Sequence, residues 1–377
     1  MKHDTAIRGV TIMGLALLIL FTAIRNVPAF QESSETGDEK QKTRGFVLLP
    51  ILSYMPETKL AGGAFVNYYF REAGSDRDSR PSTIVPSLIY TQKKQISFEI
   101  STDLYWHNQA HNLKGYVSYS RFPDKYYGIG PDTPEENEED YTPRMFQLRL
   151  NYQKRVFPDL YLGVQYEIEH TRLIKVEERG LLDSGGVPGS EGGLTSGIGL
   201  TLNRDTRDNV FSPASGSLHQ LTLRTFGGWI GSDYDFSELN IDLRAYRELF
   251  PSHVLVVNGY ANLISGEAPF QKLSLLGQVG LRNLMRGYYQ GRYRDKNIFV
   301  LQTEYRFPLW KRLGAGVFLS AGDVAGRLED FRLGSLKYAF GGGLRFKLNQ
   351  KEKINLRLDF GFGSNTSGFY ITIGEAF

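Results

Sequence analysis

The chain has 377 residues, with 44 lysines and arginines against 41 aspartates and glutamates, and this near balance gives no reason to expect nucleic acid as a partner. Cysteine is absent, which excludes disulfides, thiol catalysis and cysteine-based metal sites. The mean hydropathy of −0.31 excludes a bundle of apolar membrane helices, while 41 Gly, 22 Tyr and 24 Phe favour extended β-structure.

The N-terminal segment has the layout of a secretory signal peptide. One apolar stretch, Val10 to Ile24, follows a basic start and precedes a small residue, Ala29. At about 15 residues it is shorter than the roughly 20 that a spanning helix needs. We therefore expect a signal peptide at 1–29, with a retained membrane anchor as the alternative, a disordered periplasmic tail at 30–44 and one domain at 45–377.

Strict alternation of apolar and polar residues begins in the first third of the chain. In the segment from Gln95 to Trp106, Ile96 and Phe98 fall on one parity, whereas Ser97 and Glu99 fall on the other. The same alternation recurs at 146–153, 238–245 and 354–360. Such a pattern places one strand face in an apolar medium and the other in a polar one. A soluble β-sandwich would also alternate, but strands of about 9 to 14 residues with ionised polar faces favour a transmembrane antiparallel β-barrel.

The alternation predicts about sixteen strands, an even number that brings both ends of the barrel chain to one side of the membrane. We expect them at 46–54, 60–71, 82–92, 95–106, 111–121, 143–157, 159–170, 193–204, 217–228, 233–248, 253–266, 298–307, 313–321, 335–348, 351–361 and 369–377. The longer connections, 122–142, 171–192, 267–297 and 322–334, are expected at the cell surface. Short turns such as Pro158-Asp159 are expected in the periplasm.

Several short motifs add to this pattern. The run Asn203 to Asn209 is followed by Pro213 and Gly216, and Arg286-Gly287-Tyr288 lies within the long connection 267–297. The block Gln302 to Leu309 follows that connection, in the second half of the next predicted strand and just beyond it. Together with an aromatic residue at Phe377, these motifs resemble the BamA/TamA superfamily of outer-membrane assembly barrels, also called bacterial surface antigens.

The resemblance implies an outer-membrane barrel whose sixth surface loop, bearing the arginine–glycine–aromatic motif, folds back into the lumen. It also implies periplasmic POTRA repeats ahead of the barrel, for which residues 30–44 leave no room, so we expect a barrel-only member. The expected partners are outer-membrane lipid, the outer-membrane assembly machinery during biogenesis and a separate periplasmic repeat protein.

An arginine inside a barrel lumen needs a carboxylate partner. In the family this partner is an aspartate in a Phe-x-Asp-x-Gly stretch of the thirteenth strand, but here Ser320 stands at that position between Phe318 and Gly322. By parity, Glu304 and Asp359 face the lumen and are expected to replace it, with Glu304 preferred, while Ser320 is left to accept one hydrogen bond. The expected lumen site therefore comprises Arg286, Gly287, Tyr288, Glu304, Asp359 and Ser320.

The end of the chain is expected to carry a signal for the assembly machinery. Phe369, Ile371, Ile373 and Phe377 share one parity, which predicts that all four face lipid. Glu375 falls on the same parity near the periplasmic rim. A charge on that face suggests that the first and last strands associate only weakly with each other.

No catalytic site is expected. His219 and His253 lie near predicted periplasmic turns without a nucleophile at a suitable spacing, and no dinucleotide or phosphate-loop fingerprint is present. We therefore expect a protein that is not an enzyme and has neither cofactor nor metal. Its expected role is insertion or translocation of polypeptide or lipid at the outer membrane. The alternatives are a passive pore or uptake channel with a loop plug, and a surface antigen without a transport role.

Overall fold

The computed structural model describes residues 44–55, 59–72, 80–279, 282–350 and 353–377. The signal peptide expected at 1–29 and the tail expected at 30–44 lie outside these residues, except that the first strand already begins at Arg44. Within the described residues no helix is long and apolar enough to cross a bilayer.

The fold is an antiparallel sheet of seventeen strands, of which Asp124–Tyr126 is a three-residue strand within a connection. The remaining sixteen are β1 Arg44–Met55, β2 Lys59–Phe70, β3 Ser82–Thr91, β4 Ile96–Trp106, β5 His111–Arg121, β6 Glu139–Phe157, β7 Leu160–Lys175, β8 Gly193–Asp205, β9 Gly216–Phe226, β10 Phe236–Phe250, β11 His253–Gly266, β12 Asn297–Trp310, β13 Leu313–Ala325, β14 Lys337–Asn349, β15 Ile354–Gly363 and β16 Thr366–Ile373. Each pairs antiparallel with the next along the chain. The first and last strands contact each other, and the sheet is a transmembrane β-barrel in which no backbone pairing between these two strands is found among the described residues.

The two faces of each strand differ as the alternation predicts. Phe98 is 41% exposed on the outer face, whereas the adjacent Ser97 is buried. On β12, Phe299 and Leu301 point outward, while Gln302 and Glu304 are buried on the inside. A lipid-facing apolar band and a polar lumen follow from this arrangement.

The predicted strand positions agree with the structure to within a few residues, and the largest differences have local causes. β6 begins at Glu139 rather than at 143, because it pairs there with the short strand Asp124–Tyr126. The last strand occupies Thr366–Ile373 rather than 369–377. It ends there because Gly374, with φ of +92°, turns the chain away from the wall.

The connections separate by length onto the two sides of the barrel. One side, which we call the long-loop side, carries 122–138, 176–192, 227–235 and 267–296. The other, the short-turn side, carries connections such as 158–159, 251–252 and 311–312, with 206–215 as a longer one. We predict that the long-loop side faces the cell surface.

Labelling of single cysteines on whole cells tests this orientation. Because the chain has no native cysteine, an impermeant thiol reagent should modify a cysteine at Glu136, which is exposed on the long-loop side. It should not modify one at Pro158, in an exposed turn on the short-turn side. Pro158 is preferred to Asp159, whose φ of +59° disfavours substitution. Labelling of the cysteine at position 158 without labelling of the one at position 136 would show that the barrel has the opposite orientation.

Candidate functional site: a loop that crosses the lumen

The connection between β11 and β12, residues 267–296, folds into the barrel, and we call it the lumen loop. Its two arms pair as short strands, Ser274–Leu276 with Tyr293–Asp295. Loop residues Leu276, Leu284, Met285 and Tyr288 pack in one buried cluster with the wall residues Tyr260, Ile298, Val300, Val324 and Ala339. This apolar contact holds the loop against one wall of the lumen.

The tip of the lumen loop is a tight turn with Arg286 at its apex. Met285 has φ of +55°, and the backbone N–H of Tyr288 donates to the Met285 carbonyl at 3.2 Å. Arg286 is only 1% exposed, and its Nη2 and Nη1 lie 2.5 Å from Glu304 Oε2 and 2.5 Å from Asp359 Oδ2. The guanidinium carbon also lies 3.5 Å from the centre of the Phe318 ring, a cation–π distance.

Arg286 belongs to a larger group of buried charges at this point of the lumen. Its members, which we call the charge cluster, are Arg286, Arg306, Arg345, Arg357, Glu304, Asp359 and Glu375. Arg345 Nη1 lies 2.7 Å from Asp359 Oδ1, and Arg306 Nε lies 2.7 Å from Glu304 Oε1. Four guanidinium groups thus share three side-chain carboxylates, and the cost of desolvating them is offset only while these contacts are complete.

Glycines on the last strands make room for the loop tip. A Cβ atom at Gly361 would lie 2.6 Å from the backbone carbon of Arg286, and one at Gly363 would lie 2.6 Å from the Tyr288 ring. Gly287 has φ of +119°, and a Cβ there would lie 2.8 Å from the Phe362 backbone. Glycine is therefore required on both sides of this contact.

Hydrogen bonds tie the rest of the motif to the wall. Tyr370 Oη accepts from the Gly287 backbone N–H at 3.0 Å, and Thr366 Oγ1 donates to the Gly287 carbonyl at 3.0 Å. Tyr288 Oη donates to the Tyr338 carbonyl at 3.2 Å and accepts from the Ser364 N–H at 3.1 Å. All three motif residues are thus bound to the wall.

Ser320 has a different role from the one expected. It was expected to accept a hydrogen bond from Arg286, but its Oγ donates to the Ala339 carbonyl at 3.2 Å, and both carboxylate contacts of Arg286 go to Glu304 and Asp359. A serine side chain is too short to replace the aspartate. The carboxylate partners of Arg286 come instead from Glu304 on β12 and Asp359 on β15.

The first arm of the lumen loop reaches a different wall. Lys272 Nζ lies 2.7 Å from Glu167 Oε1 and 2.7 Å from Glu169 Oε2, both on β7. Glu167 also accepts from Arg149 on the adjacent β6 and from Arg224 on β9, at 2.8 Å each. Because Arg286 contacts β12 and β15 while Lys272 contacts β7, the loop spans the lumen between two walls.

The second arm interlocks with the connection 122–138. Arg292 Nη1 and Nη2 donate to Thr133 Oγ1 at 2.9 Å and to its carbonyl at 2.8 Å. Arg294 is 2% exposed and lies over the rings of Tyr126 and Phe270, at 5.0 and 5.4 Å. Burial raises the pKa of the nearby Asp124 carboxyl, although Arg294 opposes the shift. The two connections therefore form one packed cap.

The end of the chain differs from the expected lipid-facing signal. Phe369, Ile371 and Ile373 point outward as predicted, and the ring of Phe369 packs against that of Phe360 in a tilted arrangement, with ring centres 4.5 Å apart. The prediction that Phe377 faces lipid is wrong, because Phe377 is 6% exposed and packs inside the lumen with Ala376 and wall side chains. Its carbonyl accepts from Arg306 at 2.8 Å. The turn at Gly374 breaks the strand periodicity on which the prediction depended.

The connection 206–215, which carries the Asp-Thr-Arg-Asp motif, crosses the short-turn side of the barrel, and we call it the strap. Asp205, at the start of this turn, pairs with Arg80 at 2.9 Å, and Asp208 pairs with Lys353 at 3.3 Å. These partners belong to the β2–β3 and β14–β15 connections. Ala214 packs against the cluster that contains Phe377. The strap thus links distant parts of the rim beneath the lumen.

Sequence reasoning missed several members of the site. Three arginines of the charge cluster lie on the inward-facing parity of their strands, as Glu304 and Asp359 do: Arg306, Arg345 and Arg357. The alternation of apolar and polar residues could therefore have predicted that they face the lumen. Nothing in the sequence indicated that Lys272 would reach β7 or that Glu375 would turn inward, because both contacts depend on the path of an irregular segment.

Comparisons with known proteins bear on the family and the fold of this chain. The profile of the Omp85 superfamily domain matches residues 87–377. No curated protein sequence matches the chain. Among solved structures, the chain is similar to BamA from Haemophilus ducreyi lacking POTRA domains 1-3, with a TM-score of 0.58 and 12% identity over 89% of this chain and 71% of that one.

Two CdiB structures are also similar. CdiB from Acinetobacter baumannii has a TM-score of 0.56 and 14% identity, covering 88% of this chain and 60% of that one. CdiB from Escherichia coli has a TM-score of 0.60 and 10% identity, covering 89% of this chain and 63% of that one. This chain therefore spans less than two thirds of each CdiB chain, and identities this low show a shared fold.

Proposed function

Because the chain belongs to the Omp85 superfamily and forms a β-barrel of the bacterial outer membrane, we propose that it inserts or translocates a polypeptide or a lipid at that membrane. The observation that carries this proposal is the lumen loop, which is bound to two walls by Arg286 and Lys272. A passive pore needs a permanently open path through its lumen. Here the path is crossed by the loop on one side and by the strap on the other.

The contact between β1 and β16 offers the cargo a different route, through the wall of the barrel and not through its lumen. β16 has only eight residues, whereas β1 has 12. Since the described residues show no backbone hydrogen-bond pairing between these two strands, we expect the wall to open here at the lowest cost. A strand edge exposed there would pair with a strand of the cargo. Opening a wall in this way needs no open lumen.

A photocrosslinking amino acid placed in β1 tests this proposal in cells. Phe46 lies on the outer face of β1 and is 72% exposed. We expect p-benzoylphenylalanine at this position to capture polypeptides other than the chain itself. The matched control is Phe146 on β6, which is 46% exposed on the outer face. It should yield no such products.

The same polypeptide products at both positions, or none at either, would contradict insertion at the β1–β16 contact. The absence of crosslinked polypeptides at both positions would favour the two alternatives, a plugged uptake channel or a surface antigen. The assembly signal around Phe369, Ile371 and Ile373, and a separate periplasmic repeat protein as partner, remain predictions.

A further inference from the structure

A polar cavity of about 230 Å³ lies in the lumen, against the wall formed by β5, β6, β7, β9 and β10. We call it the basic cavity. The lining side chains that matter for binding are Lys114, Arg149, Arg224, Asn151, Gln165 and Gln220. Three of these side chains are cationic and none is a carboxylate. The charge cluster around Arg286 shares no residue with it.

One cation of this cavity makes no direct ion pair with any described residue. Arg149 and Arg224 contact Glu167 at 2.8 Å each, and Arg224 also contacts Glu238 at 2.8 Å. Lys114, by contrast, makes no side-chain hydrogen bond or ion pair with any residue that the structure describes. Asp103 lies opposite Lys114 in the β4–β5 register, but its carboxylate is bound by Asn112 at 2.5 Å and by Tyr105 at 3.1 Å. Lys114 is therefore an ammonium group that no carboxylate of the described residues contacts directly, although the charged Asp103 stands opposite it on β4.

Buried polar atoms of the lining also lack partners. Asn151 is 7% exposed, and its amide donates to Thr201 Oγ1 at 3.2 Å, but its Oδ1 has no partner among the described residues. The same holds for Nε of Arg224. Buried polar groups are normally hydrogen-bonded, so these two atoms can form hydrogen bonds with a molecule in the cavity. Here a donor and an acceptor without partners occur beside the Lys114 ammonium.

We propose that the basic cavity binds a small oxyanion, a phosphate or carboxylate group carried on a hydroxyl-rich molecule. The ammonium of Lys114 binds the anionic group, because a charge-assisted hydrogen bond is stronger than one between neutral groups. The amides of Gln165 and Gln220 and the Oδ1 atom of Asn151 offer donors and acceptors for hydroxyl groups. The site goes beyond the proposed role in insertion or translocation and does not depend on it.

Isothermal titration calorimetry of the full chain in nanodiscs tests the proposal. The two probes are inorganic phosphate and glucose 6-phosphate. We expect saturable binding of glucose 6-phosphate, weakened about tenfold or more by Lys114→Gln, since a hydrogen bond to a charged group is lost. Lys114→Arg should retain binding, because it keeps the charge. The control Lys94→Gln removes an exposed lysine in the β3–β4 turn and should change nothing.

The two probes distinguish a free phosphate ion from a phosphate group carried on a sugar. Binding of inorganic phosphate with the same dependence on Lys114 would support the site and identify the free anion as sufficient. No saturable binding of either probe to the wild type would overturn the proposal. Equal weakening by Lys114→Gln and Lys94→Gln would overturn it as well. Circular dichroism of each variant before titration shows whether its strand content is unchanged.

Discussion

Replacing Glu304 by glutamine should destabilise the barrel more than replacing Arg286 by alanine. Glu304 is fully buried and contacts Arg286, Arg306 and Arg345 at 2.5 to 3.1 Å. Its loss leaves four guanidinium groups with two side-chain carboxylates, so we expect a cost of about 3–5 kcal/mol in the free energy of unfolding. Loss of Arg286 leaves three cations and three side-chain carboxylates, which is a more balanced cluster.

Urea unfolding in lipid vesicles measures both changes. The control is Arg327→Ala, because Arg327 lies on the long-loop side with its side chain 77% exposed, in an exposed pair with Glu329. We expect this control to differ little from the wild type. An effect of Arg286→Ala equal to or larger than that of Glu304→Gln would show that the cluster is not held together as a network. Effects of both equal to the control would show that it does not stabilise the barrel.

Replacing Gly361 by valine should release the tip of the lumen loop. A Cβ at this position would meet the Arg286 and Gly287 backbone at 2.5 to 2.8 Å, and backbone cannot move aside as a flexible side chain can. The clash adds to the loss of the Arg286 ion pairs, since the tip would have to leave the wall. We expect trypsin added to whole cells to cleave the loop in this variant but not in the wild type.

The matched control is Gly259→Val on β11. Gly259 also lies within a strand, but a Cβ there meets no atom within 4 Å. Valine suits a strand, so this variant should keep the loop resistant to trypsin. Cleavage in both variants would indicate general destabilisation of the barrel. Resistance in both would show that the glycines are not needed for docking of the loop.

The strands could be predicted from the sequence because each has one face in lipid and one in a polar lumen. This period-2 pattern depends on neighbouring residues alone, and it placed Glu304 and Asp359 on the inner face. The alternation ends where the chain leaves the wall. The inward turn at Gly374 and the burial of Phe377 were therefore mispredicted.

The contacts of the lumen loop were predictable only in part. The motif around Arg286 predicted a loop in the lumen, and parity provided candidate carboxylates. The choice between them depends on which strands lie within reach of the loop tip, a three-dimensional distance that no local pattern contains. For the same reason the pairing of Lys272 with Glu167 was not foreseen, nor was the path of the strap from Asp205 to Lys353.

Single-channel conductance in planar bilayers tests most directly whether the lumen is closed. A barrel of 16 to 18 strands can leave an aqueous channel unless something fills it. For the intact protein we therefore expect low, unstable conductance. Deletion of Tyr288 to Tyr293 should raise it, and weakening the strap with Asp208→Ala as well should raise it further, because the two barriers act in series. Large, steady conductance from the wild type, unchanged by the deletion, would contradict a lumen closed by its own loop.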